Sequence, residues 1–207
     1  WSSDVCSPDL SKGLFIGIVE TIAGIKQLEV TVHGVSNHAG ATPMNLRNDA
    51  LCGVAEIILN SEKIASENGT SVATVGLLEV NPGKTNIIPG KVKFTLDIRD
   101  KDDVTLNEIG SKIIDSIVST CKNRSLSYEI KQVSYTKPVL LSKNIVKLIE
   151  NAAKNQGATS LKMVSGAVHD SSIIAELGDT GMIFVPSKKG RSRSEERRVG
   201  KECRSRW

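Results

Sequence analysis

Three polar residues in separate segments of this chain are the best candidates for chemistry. His38 lies in "SNHAGATPM", Asn86 in "NPGKTNIIPG" and Arg99 near the end of "KVKFTLDIRD". Together they offer a hydrogen-bond donor, a neutral amide and a fixed cation. A guanidinium pairs bidentately with a carboxylate, so this set suits an anionic substrate that also carries a carbonyl group. We expect the three side chains to converge at one edge of the polar face of a sheet.

Each of these residues also has an ordinary structural explanation. His38 is compatible with a surface loop of small residues, and Asn86 with a turn former between prolines and glycines. Arg99 is compatible with a solvated arginine on a polar strand face. The functional interpretation therefore depends on the elements that position the three side chains.

The hydrophobic pattern between residues 24 and 137 predicts one α/β layer. Alternating apolar residues indicate strands, and apolar residues three or four apart indicate amphipathic helices. The order β-α-β-β-α-β is most simply a four-stranded antiparallel sheet with both helices on its apolar face. Leu46 is assigned to the apolar stripe of the first helix, and Tyr128 to the alternation of the last strand. The strands are predicted at 27–35, 72–80, 91–100 and 125–133, and the helices at 46–68 and 105–123.

Segments on both sides of this layer predict part of a second domain. Residues 13–24 and 181–187 have the character of buried strands, and a helix is predicted between a Ser142 N-cap and a terminal Gly157. These pieces cannot form a core by themselves. The predicted divisions are 11–23 and 138–192 for parts of one α/β domain, and 24–137 for an inserted domain that we call the lid.

The two ends of the chain differ in composition from the rest. Residues 193–207 are rich in arginine, and the two tryptophans are the first and last residues. The stretches 1–10 and 193–207 resemble translated sequencing adapters, and we expect both to be non-native ends of a fragment. An arginine-rich arm that binds nucleic acid is the alternative interpretation.

Composition narrows the function classes further. The 207 residues are 39% hydrophobic and 24% charged, which is typical of a soluble globular protein. No apolar run reaches the roughly 18 residues that predict a membrane span. The net charge of +4 is spread without a basic patch in the body of the chain, so we expect no nucleic-acid partner and no membrane partner. The four cysteines have neither disulfide nor metal spacing, which favours a cytoplasmic location.

Several motifs together resemble one enzyme family. In chain order these motifs are "NHAGATPM", "LRNDAL", "NPGKTNIIPG", "LDIRD", "SGAVHD" and "MIFVPSKKGRS". Together they resemble the M20-type metallohydrolases, and the similarity is greatest to the amidase branch of N-carbamoyl-L-amino-acid hydrolases and allantoate amidohydrolases (the hydantoinase/carbamoylase branch). By this resemblance 11–23 and 138–192 are parts of the catalytic α/β domain. An M20 aminoacylase or peptidase is the alternative within the family, and a non-catalytic dimerising lid module is the alternative outside it.

The resemblance implies a homodimeric hydrolase with two divalent metal ions, zinc or manganese, in its catalytic domain. The lid supplies the dimer contacts. By this resemblance His38 reaches into the partner subunit's site and stabilises the tetrahedral oxyanion. Asn86 and Arg99 match substrate-binding residues, with Arg99 on the substrate carboxylate. The substrate is expected to be an N-carbamoyl amino acid or a ureido acid such as allantoate, cleaved at a linear C–N bond.

The metal ligands of the family have no counterpart in this sequence. Its histidines are His33, His38 and His169, and none matches a ligand position. Arg193 stands where the family has its last histidine ligand. A catalytic zinc ion needs about three protein ligands. We therefore assign no metal-binding residue, expect no metal ion to bind well, and predict that the 207-residue chain itself is inactive.

Overall fold

A computed structural model describes residues 16–185 of the chain. Within that range the chain divides into two compact units, one of residues 24–137 and one formed by the segments before and after it. The first unit has the bounds that the hydrophobic pattern predicts for the inserted layer. The elements in chain order are β1 Ile16–Ile22, β2 Gly24–His33, α1 Ala50–Asn68, β3 Val72–Asn81, β4 Lys91–Asp100, α2 Asp103–Asn123, β5 Ser127–Thr136, β6 Val139–Leu140, α3 Lys143–Asn155, β7 Ser160–Ser165, α4 Ser171–Ile174 and β8 Met182–Phe184.

The unit of residues 24–137 is a four-stranded antiparallel sheet with two helices on one face. The strand order is β3-β4-β2-β5, so β2 and β4 are central and β3 and β5 are edges. Alternate residues of the central strands are buried against α1 and α2, and this burial of apolar surface drives the packing. The α/β fold class and the β-α-β-β-α-β layer are confirmed. The buried residues of the central strands include Leu28, Val30, Val32, Val92, Phe94, Leu96 and Ile98.

The first helix begins four residues later than the sequence pattern predicts. The Asp49 side chain accepts hydrogen bonds from the backbone N–H groups of Leu51 and Cys52, which fixes the N-terminus of α1 at Ala50. Leu46 lies before this cap in a short 3-10 turn and is 67% exposed. Its assignment to the apolar stripe was wrong, because a helical spacing of apolar residues does not show where the cap lies.

The last strand of the sheet also differs from its prediction. Leu126 is buried but precedes β5, and Tyr128 within β5 is 40% exposed. As an edge strand, β5 lies beyond much of the helical cover, so alternation there does not produce a fully buried face.

The second unit is built around β1. This strand pairs with β6, β7 and β8, and β7 is its parallel neighbour. Val19, Ile22 and Leu141 form the centre of a small apolar cluster. Ser142 stands at the N-cap position of α3 but its side chain makes no capping bond, so that part of the prediction is wrong. Gly157 follows the helix in a left-handed conformation, φ 66°, as predicted for a terminal glycine.

The predicted non-native ends, residues 1–10 and 193–207, lie outside the described residues. No helix within residues 16–185 is long and apolar enough to cross a membrane.

Candidate functional site

Two loops meet at one end of the four-stranded sheet. The first follows β2 and carries His38; the second joins β3 to β4 and carries Asn86. The Ala39 N–H donates to the Asn86 carbonyl at 2.9 Å, and the Ile88 N–H donates to the Asn37 carbonyl at 2.8 Å. The structure therefore brings His38 and Asn86 together, as the sequence predicts, and it does so through the backbone.

Glycines allow these loops to approach other backbone closely. A side-chain carbon at Gly34 would collide with the Asn48 carbonyl, and one at Gly90 would collide with Ser36. Gly34 lies where the chain leaves β2 and Gly90 where it enters β4, and the Gly34 N–H donates to the Gly90 carbonyl at 2.8 Å. The two loops are consequently fixed to each other at their bases as well as at their tips.

The side chains of His38 and Asn86 are both exposed. One ring nitrogen of His38, Nδ1, accepts a hydrogen bond from the Gly40 N–H at 3.2 Å. The backbone of His38 is also held, because its N–H donates to the Asn37 side chain at 2.8 Å and its carbonyl accepts from the Thr42 hydroxyl at 2.8 Å. This end of the sheet thus presents an imidazole and an amide on an ordered loop pair.

Arg99 lies at the opposite end of the same sheet. In the register of β2 and β4, Lys91 is opposite His33 and Arg99 is opposite Ile25. Lys91 and Arg99 are eight positions apart, which at the rise of an extended strand is about 26 Å. The expected convergence of all three side chains within one chain is therefore wrong. The sequence pattern did not show that the loops of His38 and Asn86 leave the sheet at the end opposite to Arg99.

The guanidinium of Arg99 is held on the sheet by Asp97. Arg99 Nε donates to one carboxylate oxygen at 2.6 Å and Nη2 to the other at 3.1 Å. Gln27 Nε2 on the neighbouring strand also donates to Asp97, at 2.9 Å. Burial opposes ionisation of Asp97, but the hydrogen bonds from Arg99 and Gln27 and the charge of Arg99 outweigh it, so the pKa of Asp97 is lowered. This end presents a half-buried, oriented cation.

The "SGAVHD" loop belongs to the other unit, between β7 and α4. His169 Nε2 lies 2.9 Å from the Ser165 hydroxyl, and the His169 ring packs 5.7 Å from the ring of Phe184. The Ser165 hydroxyl donates to the Ala167 carbonyl at 3.0 Å. These contacts close the loop on itself, and Val168 at its tip is exposed.

A metal centre does not fit the side chains in the described range. Within residues 16–185 no three His, Cys, Asp or Glu side chains are grouped as metal ligands would be. His33 Nε2 is 3.3 Å from the Glu129 carboxylate, whereas His38 and His169 make the contacts given above. Position 193 lies outside the described residues.

Comparison with known proteins places this fold among dimerisation domains of hydrolases. Residues 21–125 match the family model M20_dimer, the peptidase dimerisation domain. The chain belongs to the M20 family, and the relatives it resembles are amidohydrolases and hydantoinase/carbamoylase family amidases.

Individual relatives agree with this assignment. The chain is 38% identical over 182 residues to the N-carbamoyl-L-amino acid amidohydrolase of Geobacillus stearothermophilus, which covers 88% of this chain and 44% of the relative. It is 33% identical over 190 residues to the allantoate amidohydrolase of Escherichia coli K12, covering 91% and 46%. A crystal structure of a hydantoinase/carbamoylase family amidase from Burkholderia multivorans superposes with a TM-score of 0.86 at 33% identity, covering 88% and 45%. The chain spans less than half the length of these relatives.

Sequence reasoning missed the residues that support the candidate site. Arg47, Asn37 and Gln27 contact the loop of His38 or the partner of Arg99. Arg47 was visible only as part of the "LRNDAL" motif. Its role depends on a return of the chain toward residues 39–42, which no periodic pattern indicates.

Proposed function

We propose that this chain contains the lid and flanking segments of an amidohydrolase that cleaves a linear C–N bond of an N-carbamoyl amino acid or a ureido acid such as allantoate. The observation that carries the proposal is the ordered pair of His38 and Asn86 on the M20 lid, with an oriented Arg99 on the same sheet. The names of the relatives support the substrate class. The catalytic domain of the complete enzyme would supply the hydrolytic centre.

In this proposal the three side chains have different tasks. His38 donates a hydrogen bond to the oxygen on which negative charge develops when the carbonyl carbon is attacked, so it acts in the transition state. Asn86 holds a polar group of the substrate beside it. Arg99 binds the substrate carboxylate, and Asp97 keeps its planar group in one orientation. Two divalent metal ions, zinc or manganese, are expected to supply the attacking hydroxide, and we place none of their ligands in this chain.

The site is proposed to form between two subunits. A small ureido acid cannot span the length of the sheet, so His38 and Arg99 of one chain cannot bind the same substrate molecule. In a two-fold symmetric dimer each contact occurs twice with the roles exchanged. Two sheets related in this way with antiparallel edges bring the His38 end of one subunit to the level of the Arg99 end of the other.

The β3 edge is the better candidate for this pairing. Its residues carry one charge, Glu79, whereas β5 carries Glu129 and Lys131. Charged residues protect an edge against pairing, so β3 is the less protected edge. Leu78 lies opposite Phe94, on the helical side of the sheet, and is still 46% exposed. Leu59 of α1, the helix that packs beside β3, is also exposed. An apolar edge of this kind fits a second copy of the same chain.

The test is hydrolysis by the complete protein, expressed from the reading frame recovered across both ends of this chain. We expect release of ammonia or carbamate from an N-carbamoyl amino acid or from allantoate in the presence of zinc or manganese. The 207-residue chain with the same metals should show no activity above a metal-free control. If neither substrate is cleaved by the complete protein, the proposed substrate class is wrong.

The alternatives predict other outcomes in the same assay. An M20 aminoacylase or peptidase would prefer an N-acyl amino acid or a dipeptide. These substrates have the same attacked carbonyl carbon and carboxylate as an N-carbamoyl amino acid, so the same three side chains suit both classes. A dimerising module would cleave none of them but would still form dimers.

A further inference from the structure

We propose that Arg47 is a positioning residue that holds the His38 loop so that the imidazole presents its Nε2–H to the substrate. The part that concerns substrate rests on the proposed function. The geometry of the loop does not, and it can be tested in the chain alone.

Arg47 connects two carbonyl groups on the far side of its own loop. Its Nε donates to the Thr42 carbonyl at 3.0 Å, and its Nη2 donates to the Ala39 carbonyl. The residue is half-buried, so these bonds to a charged donor are partly shielded from water. A planar guanidinium suits this task because it has several N–H groups in a fixed arrangement. Arg47 thereby closes the segment from Ala39 to Thr42 into a compact turn.

The same turn determines the position of the His38 backbone. The His38 carbonyl accepts from the N–H groups of Ala41 and Thr42 at 3.3 and 3.2 Å, and from the Thr42 hydroxyl. Arg47 binds the carbonyls of Ala39 and Thr42, the first and last residues of this turn. Loss of the guanidinium would leave the Ala39 and Thr42 carbonyls without these charged donors and would loosen the turn that holds the histidine.

The Gly40 N–H determines which ring nitrogen of His38 carries the proton. A backbone N–H can only donate, so Nδ1 must accept with its lone pair, and the neutral ring must carry its proton on Nε2. Nε2 is therefore the donor of the exposed ring.

Arg47 also links His38 to Asn86. The Ala39 residue whose carbonyl contacts Arg47 uses its N–H to bind the Asn86 carbonyl. One cation therefore binds the same residue, Ala39, that joins the two loops. We expect removal of Arg47 to affect both residues of this end of the sheet, while the Arg99 end is unchanged.

The experiment is NMR spectroscopy of the purified 207-residue chain without substrate or metal. In the unmodified chain the ring nitrogen shifts of His38 should show the proton on Nε2, and the Gly40 amide should be protected from hydrogen exchange, because its N–H donates to Nδ1. Arg47→Ala should mix the two ring tautomers and speed hydrogen exchange at the Gly40 amide by about tenfold or more. An Arg47→Ala chain that folds and keeps both properties would overturn the proposal.

Two further variants make the result specific. Asp102→Ala removes the side-chain cap of α2 at the other end of the sheet and controls for a general loss of stability; it should leave the His38 tautomer and the Gly40 exchange rate unchanged. Arg47→Lys keeps the charge but not the planar fork, and should give an exchange rate between those of the unmodified and Arg47→Ala chains. If Arg47→Ala does not fold, an Arg47→Lys chain identical to the unmodified one overturns the proposal. A confirmed loop effect with no hydrolysis by the complete protein would reject only the proposed function.

Discussion

The two ends of the four-stranded sheet present functional groups in different ways. At one end His38 and Asn86 are exposed on loops that hydrogen bonds between backbone groups hold together. At the other end Arg99 is half-buried on a central strand, and its direction is fixed by Asp97 two residues earlier. Both ends are therefore ordered, one by hydrogen bonds between loops and the other by an ion pair on a strand. In the proposed function the His38 end acts on the transition state, whereas the Arg99 end binds the substrate carboxylate.

The largest effect is expected for His38→Ala in the complete protein. Because an oxyanion donor acts mainly in the transition state, kcat should fall on the order of 100- to 1,000-fold with a smaller change in KM. Steady-state kinetics with the preferred substrate checks this. His33→Ala is the matched control, since His33 lies near the same end and pairs with Glu129; a comparable loss for both variants would contradict a specific role for His38.

A smaller effect of a different kind is expected for Arg99→Ala. Loss of the carboxylate contact should raise KM by about 10- to 100-fold, because a charged bidentate contact acts on bound substrate and transition state alike. Arg99→Lys should recover only part of this, since an ammonium lacks the planar fork. Comparing the acid with its methyl ester in the same assay separates the roles: the variant should discriminate between them far less than the unmodified protein. An unchanged preference for the acid would exclude the clamp.

Dimerisation is expected to depend on the β3 edge. Leu78→Lys places a charge on this edge and should weaken the dimer by about tenfold or more in Kd, measured by analytical ultracentrifugation. Val133→Lys on the β5 edge is the control, because Val133 is 57% exposed and the substitution should leave the association state unchanged. Dissociation by the β5 variant alone would move the interface to the other edge.

Asp97, at the Arg99 end of the sheet, should make the unfolding free energy depend on pH. The pKa of Asp97 is lowered in the folded state, so its ionised form favours folding. This contribution is complete above the unfolded-state pKa of about 3.9 and is lost as the pH falls through the lower, folded-state value. The difference in unfolding free energy between the unmodified chain and Asp97→Asn should be constant at neutral pH and shrink below about pH 4. Urea denaturation across this range measures it, and a difference that is independent of pH would contradict the assignment.

The smallest effects are expected at the helix caps. Asp49→Ala and Asp102→Ala should each lower the unfolding free energy by about 1 kcal/mol, because each carboxylate accepts backbone N–H groups at a helix N-terminus. Urea denaturation checks both values. Asp49→Asn, which retains an acceptor oxygen, should lose less than Asp49→Ala; equal losses would show that the charge rather than the hydrogen bond matters.

Much of the fold could be predicted because burial produces periodic patterns. The Leu106, Ile109 and Ile113 stripe of α2 is buried as expected, and β4 has the predicted bounds. The start of α1 could not be predicted as well, because one hydrogen-bonding side chain, Asp49, decides it. The burial of the edge strand β5 was also predicted incorrectly: Tyr128 follows the predicted alternation, but the helices do not cover its side chain fully.

The sequence indicates the candidate residues of the site but not their arrangement in space. The motifs single out His38, Asn86 and Arg99, and the pairing of two loops brings the first two together. The distance from His38 and Asn86 to Arg99 depends on the end of the sheet at which the two loops lie. Strand register sets that end, and local sequence does not show it. Arg47 escaped notice because its partners are backbone carbonyls, which carry no sequence signal.

The central claim is that His38 and Arg99 act on one substrate from different subunits. Its most direct test mixes complete His38→Ala and Arg99→Ala proteins, lets their subunits exchange, and measures activity at a substrate concentration below the KM of the unmodified protein, where each variant alone is strongly impaired. The account predicts recovery to about a quarter of normal activity, because half of the dimers are mixed and each mixed dimer has one intact site. Mixing two Arg99 variants should recover nothing. Absence of recovery in mixed dimers, shown to form by mass spectrometry, would contradict a shared site.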